Sequence, residues 1–117
     1  MRGAKWRSGG NGLKFRDIVL GQGIEAKAGS KLKVRYTGRF NNSEGKVFDQ
    51  NLKKGMKLTL GLGRVIQGWD FGLLGVRAGA IRELLIPSAL AYGRKGVPGT
   101  IPPNAVLYFH IQVSSVR

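Results

Sequence analysis

Short alternating segments set off by glycines constrain this chain more than any other feature. Over one stretch after another, apolar side chains recur at every second position and then stop at a glycine-rich turn. A period of two places successive side chains on opposite faces of a strand, so the pattern specifies a small sheet with one buried face. Residues 15–20 read as an edge strand closed by the Gly21-Gln22-Gly23 turn. Residues 31–36 read as a half-buried strand, with Leu32, Val34 and Tyr36 on one face and Lys31, Lys33 and Arg35 on the other. Residues 41–45 form a polar turn, 47–49 begin a further apolar segment, and 57–60 alternate again. Residues 80–86 and 106–113 read as longer strands. In the second, Leu107, Phe109, Ile111 and Val113 share a face opposite Tyr108, His110 and Gln112.

Only residues 67–74 suit a helix, a short one, with Trp69 and Leu73 four apart on one side and Gly75 as a stop. So little helix can cover only one face of a sheet, which makes the fold α+β, one antiparallel sheet over one short helix with Trp69 where they meet. The 117 residues fit one domain with a modest core. The 19 glycines have no three-residue period, which excludes a collagen-like chain and leaves them as turn residues. Residues 87–103, rich in Gly and Pro, form a connection long enough to suggest a functional loop.

The organisation expected is a flexible basic arm at residues 1–12, carrying Arg2, Lys5, Trp6, Arg7 and a Gly9-Gly10-Asn11-Gly12 run, followed by a domain at 13–117. Twenty Lys and Arg against six Asp and Glu give a formal charge of +14, which steers the chain toward nucleic acid, acidic protein tails or anionic surfaces. No apolar run approaches the roughly 20 residues that span a bilayer, and no membrane role is expected. With Lys31, Lys33 and Arg35 opposite Tyr36, a polyanion site is expected apart from any pocket on the Tyr36 face.

Chemistry is poorly supplied. The absence of cysteine removes thiolate catalysis, disulfides and cysteine-based zinc sites, and His110 has no second imidazole to help hold a metal. What the chain does own is Tyr36, Phe48, Asp49, Val65, Ile66, Trp69, Tyr92 and Phe109. A site made from these is an apolar cup with a few polar handles, suited to a flat uncharged group such as a proline ring. Taken alone, Asp49 is equally a turn carboxylate, Tyr92 a loop tyrosine and Trp69 a core residue.

Five motifs in order carry a resemblance: Val34-Arg35-Tyr36-Thr37-Gly38, Gly45-Lys46-Val47-Phe48-Asp49, Val65-Ile66-Gln67-Gly68-Trp69-Asp70, Ala91-Tyr92-Gly93 and Ile101-Pro102-Pro103-Asn104-Ala105. Together they resemble the tacrolimus-binding peptidyl-prolyl isomerases, the FKBP family, over residues 13–116. The resemblance implies a half-open five-stranded antiparallel sheet around a short helix and X-Pro isomerase activity without cofactor or metal. It implies Trp69 as pocket floor, Tyr36, Phe48 and Phe109 as walls, and Val65 and Ile66 as the segment entering the helix, with the Ile66 N–H donating to a ligand carbonyl. Tyr92 is implied as a rim donor, Asp49 as a rim acceptor and Ile101 as the completion of the rim. Met56 stands where an aromatic wall is frequent, Arg64 where Glu or Gln is common, and Val97 where small members carry a loop histidine.

The partners implied are proline-containing clients, tacrolimus or rapamycin-like macrolides and, through the basic surface, nucleic acid, histones or acidic tails. A monomer is expected. Charge and resemblance together suggest the nucleus or nucleolus, with the cytoplasm as the alternative.

Overall fold

In a computed structural model describing residues 5–117, the chain forms one six-stranded antiparallel sheet and one short helix. The strands are β1 (Arg7–Gly10), β2 (Leu13–Val19), β3 (Lys31–Phe40), β4 (Val47–Thr59), β5 (Ile81–Ile86) and β6 (Leu107–Val116), in the order β1-β2-β5-β6-β3-β4. The helix, α1, spans Gln67–Gly72. The α+β architecture is the one expected, with six strands in place of five.

The sixth strand comes from the segment expected to be a flexible arm. Residues 1–4 lie outside the described residues, but β1 pairs with β2 in a hairpin whose turn is Asn11-Gly12. Asn11 and Gly12 both take positive φ, 55° and 86°, which is the geometry that lets a two-residue turn follow the twist of the flanking strands. An Asn-Gly hairpin signal had the composition of a linker. In consequence β2 lies between β1 and β5, where an edge strand was expected.

The alternation in β3 and β6 matches burial. Leu32, Val34 and Tyr36 are buried, as are Leu107, Phe109, Ile111 and Val113. Tyr108, on the opposite face, is buried too, because its hydroxyl donates to Glu83 of β5, whose carboxylate also meets Arg16 Nε of β2 at 2.5 Å. The Trp6 ring lies under the Arg16 guanidinium at 4.2 Å, so part of this outer face carries its own cover.

Two glycines set the helix against the sheet. A Cβ on Gly68 would stand 2.5 Å from Ile86 Cγ2, and one on Gly72 2.8 Å from Leu84 Cδ2. These positions lie four apart on the helix face toward β5. Close approach there carries Trp69 down onto the concave side of the sheet, where it is 3% exposed. The helix is shorter than the expected 67–74, ending at Gly72 with Gly75 in the left-handed region at φ 86°.

Candidate functional site

The concave side of β3, β4 and β6 meets the start of α1 at a cavity of about 220 Å³. Tyr36, Phe48, Asp49, Met56, Val65, Ile66, Trp69, Tyr92 and Phe109 line it, together with Arg64. These come from three strands, the segment before the helix, the helix and the long loop, so the cavity exists only in the folded chain.

Trp69 is the hub of the aromatic surface. Tyr36 meets it at 4.9 Å and 87°, and Phe109 at 5.2 Å and 85°. Phe48 meets Phe109 at 5.6 Å and 81°. Edge-to-face pairs place the positive rim of one ring on the negative face of the next, each contributing about 0.5–1.5 kcal/mol beyond burial. The result is a fixed apolar box. The Trp69 indole N–H is buried with no partner among the described residues, a cost the ring packing has to offset.

Phe48 and Asp49 reach the same cavity from adjacent positions through an irregularity in the ladder. Gly38 pairs with Asp49 while its neighbour Arg39 pairs with Val47, so Phe48 is the extra residue of a bulge. Gly38 makes room for the outcome, since a Cβ there would stand 2.8 Å from both Phe109 Cε1 and Phe48 Cζ. A second irregularity lies between Val34, paired with Met56, and Tyr36, paired with Asn51. The intervening residues of β4 turn outward, held by Asn51, whose Oδ1 accepts from the Gly55 N–H at 2.9 Å.

The polar handles form one group. The Tyr36 hydroxyl donates to Asp49 Oδ2 at 2.8 Å, a diagonal contact across β3 and β4, and Asp49 Oδ1 accepts from the Gln50 N–H at 2.8 Å. Burial, then the hydrogen bond to Asp49 and its charge, push the Tyr36 hydroxyl well above its ordinary value. Burial and the charge of Asp49 raise that of Tyr92 as well. Both phenols therefore stay protonated across the physiological range, and Tyr92, 40% exposed, presents a donor at the mouth.

Asp70 organises the approach to the helix. Its buried carboxylate accepts from the Gly61 N–H at 2.8 Å and the Gly63 N–H at 2.9 Å, which fixes the turn leading to Val65 and Ile66. The Ile66 carbonyl begins the helix by accepting from the Trp69 and Asp70 N–H groups, while its own N–H has no acceptor among the described residues.

Val97 and Ile101 lie outside the cavity lining. Their backbones bond in both directions at 2.8 Å, and this closure turns Ile101 into the core, where it is 6% exposed. Sequence reasoning gave no role to Gly38 or Asp70, while Arg64 stood out as a departure from the Glu or Gln common there. The first two sat inside quoted motifs as unexplained polar or small residues, which was the signal available. Among the described residues, no three His, Asp or Glu side chains gather as a metal-ligand set.

Comparison with known proteins bears on the same region. The profile of the FKBP-type peptidyl-prolyl cis-trans isomerase matches residues 22–114. The chain is 49% identical over 96 residues to peptidyl-prolyl cis-trans isomerase FPR2 of Saccharomyces cerevisiae, covering 80% of this chain and 70% of that protein. It is 41% identical over 107 residues to the 46 kDa FK506-binding nuclear protein of Spodoptera frugiperda, covering 91% of this chain and 26% of the relative. The chain spans less than a third of the length of several curated relatives it matches. A crystal structure of a peptidyl-prolyl cis-trans isomerase from Pseudomonas syringae superposes with a TM-score of 0.84 at 32% identity, covering 95% of this chain and 80% of that one. With 93 of its residues inside the family profile, the sheet-and-helix architecture shared and an aromatic cavity at their junction, the chain belongs to the FKBP-type peptidyl-prolyl cis-trans isomerase family.

Proposed function

We propose that this domain isomerises X-Pro peptide bonds by binding the proline ring in the Tyr36, Phe48, Trp69 and Phe109 box, and that tacrolimus-like macrolides occupy the same box. The observation that carries the reading is the edge-on meeting of Tyr36 and Phe109 with Trp69, which packs three rings edge to face along one side of a cavity of about 220 Å³.

The chemistry requires no nucleophile. Rotation about the amide faces a barrier of about 18–20 kcal/mol because conjugation between nitrogen and carbonyl is lost on twisting. Water stabilises the planar, more polar amide, so an apolar enclosure favours the twisted form relative to solution. The Ile66 N–H and the Tyr92 hydroxyl are donors for flanking carbonyls, and a hydrogen bond formed only in the twisted state, about 1.4 kcal/mol, gives tenfold in rate. Asp49, held by Tyr36, is the acceptor for a ligand hydroxyl or amide. The whole effect is differential binding along one torsion.

The name of the Spodoptera relative and the +14 charge support a nuclear setting with an anionic partner, nucleic acid or acidic protein, in preference to the cytoplasm. The test of the isomerase reading is exchange of cis and trans signals in a short X-Pro peptide followed by NMR. Line broadening at catalytic protein concentration, abolished by tacrolimus, is expected. A folded sample that produces neither effect contradicts the reading.

A further inference from the structure

A larger groove of about 690 Å³ adjoins the aromatic cavity and shares Met56, Arg64 and Val65 with it. Lys31, Lys33, Lys57, Arg64 and Arg117 contribute its charge, and no Asp or Glu lines it. The six acids of the chain are committed elsewhere or lie outside the groove. Asp17 pairs with Arg82, Glu25 with Arg77 and Glu83 with Arg16, while Asp49 and Asp70 hold Tyr36 and backbone N–H groups. Glu44 sits in the exposed turn between β3 and β4. Among the described residues, none of the five groove cations has an ion-pair partner.

A second observation points the same way. Lys33 and Lys57 are register partners across β3 and β4, with Lys31 next in line opposite Thr59. Like charges directly opposite in a sheet are destabilising, so this pairing opposes the stability of the strands it joins. A local conflict of this kind, placed at the mouth of a cavity, marks a site where an anion supplies the missing complement.

We propose that the groove binds an acidic stretch of the client chain beside the isomerised proline, making the preferred substrate an X-Pro segment flanked on one side by Asp and Glu. This rests on the isomerase reading and adds the substrate class. The polyanion surface expected to be separate from the pocket is then continuous with it. Lys31, Lys33 and Lys57 alternate to the face opposite Leu32, Val34 and Tyr36, and the groove meets the cavity at Met56, Arg64 and Val65, which line both. At about 3.3 Å per residue of extended peptide, the carboxylates sit about two to five residues from the proline. An acidic peptide is favoured over a nucleic acid because the groove shares Met56, Arg64 and Val65 with the cavity proposed to hold the proline, so one continuous chain fills both parts.

The test compares four peptides with one neutral X-Pro centre. Two carry four Glu at positions two to five, one before and one after the proline, and two carry Gln at the same positions. One of the Glu peptides should show kcat/KM about tenfold above its Gln counterpart at low salt, through KM, with the gap closing as salt rises from roughly 50 to 500 mM. K33Q/K57Q should remove that gap while leaving the Gln peptides unchanged. Equal kcat/KM for Glu and Gln peptides overturns the groove proposal and leaves the isomerase reading standing. Absence of turnover for all four overturns both. Displacement of the Glu peptide only by short single-stranded DNA that binds more tightly, with no kcat/KM advantage for Glu, assigns the groove to nucleic acid and overturns the proposal.

Discussion

Phe48 and Asp49, adjacent in β4, face the same cavity, although neighbours in a regular strand point to opposite sides. The bulge opposite Gly38 and Arg39 turns Phe48 inward, and the bare Cα of Gly38 admits both the Phe48 and the Phe109 rings. The aromatic wall and the carboxylate of the candidate site thus depend on one ladder irregularity.

Gly38→Ala tests that dependence. The added methyl has no room between two rings at 2.8 Å, so the rings shift, costing about 1–3 kcal/mol of stability. Turnover of an X-Pro peptide should fall at least about tenfold in protein that remains folded by circular dichroism. An unchanged rate would mean that the Phe48 wall is unnecessary.

Tyr92→Phe and Phe109→Ala separate site from scaffold. Tyr92 is exposed at the rim, and losing its hydroxyl should lower kcat/KM severalfold with a melting temperature close to the parent's. Phe109 is 4% exposed and packs on Trp69, Tyr36 and Phe48, so its truncation should cost about 3–5 kcal/mol. Comparable losses of stability in urea melts would remove the distinction.

Asp70→Ala strips the acceptor from two backbone N–H groups and should destabilise the fold by about 3 kcal/mol. The turn before Ile66 loosens with it. KM for peptide should rise more than kcat falls, and Asp70→Asn, which keeps one acceptor oxygen, should recover part of the loss. Parent-like KM in Asp70→Ala would detach this turn from ligand binding.

The pH dependence of stability follows from Glu83, Tyr36 and Tyr108. Burial raises the Glu83 carboxyl, but the hydrogen bonds from Arg16 and Tyr108 and nearby positive charge outweigh it, leaving it below the ordinary value. Its contribution is present above the unfolded value of about 4.3 and is lost as pH falls through the lower folded one. Burial, then the bonded carboxylate, raises Tyr36 and Tyr108, so their contributions are whole below about 10 and are lost as pH rises beyond it. Thermal melts should therefore be flat from about pH 5 to 9 and fall on either side, with Glu83→Gln blunting the acid limb. An acid limb unchanged in that variant would mean that Glu83 does not set it.

Much of this was legible in the sequence because period-two burial is a local signal. The inward faces of β3 and β6 and the position of α1 follow from alternation and spacing, while the grouping of Tyr36, Asp49, Trp69 and Phe109 is what the resemblance carried by the five motifs implies. The misreadings have local causes. Asn11-Gly12 has linker composition and hairpin conformation, so β1 was missed. β4 was read as two pieces because its register breaks opposite Tyr36, and alternation cannot be followed through a bulge. Ile101 was expected at the rim, but its closure with Val97 is a backbone pairing that carries no side-chain pattern. The joining of the basic groove to the cavity depends on Arg64 and Val65 arriving from a loop, a tertiary placement that strand alternation does not encode.

The proposed function turns on one aromatic box holding both the proline and the macrolide. Titrating tacrolimus into the protein while recording isomerase rate and the emission of Trp69, in a background of Trp6→Phe, tests it most directly. Activity should fall to the uncatalysed rate at one equivalent of drug, with the Trp69 signal changing over the same range. Bound drug, reported by Trp69, with the rate undiminished would contradict it.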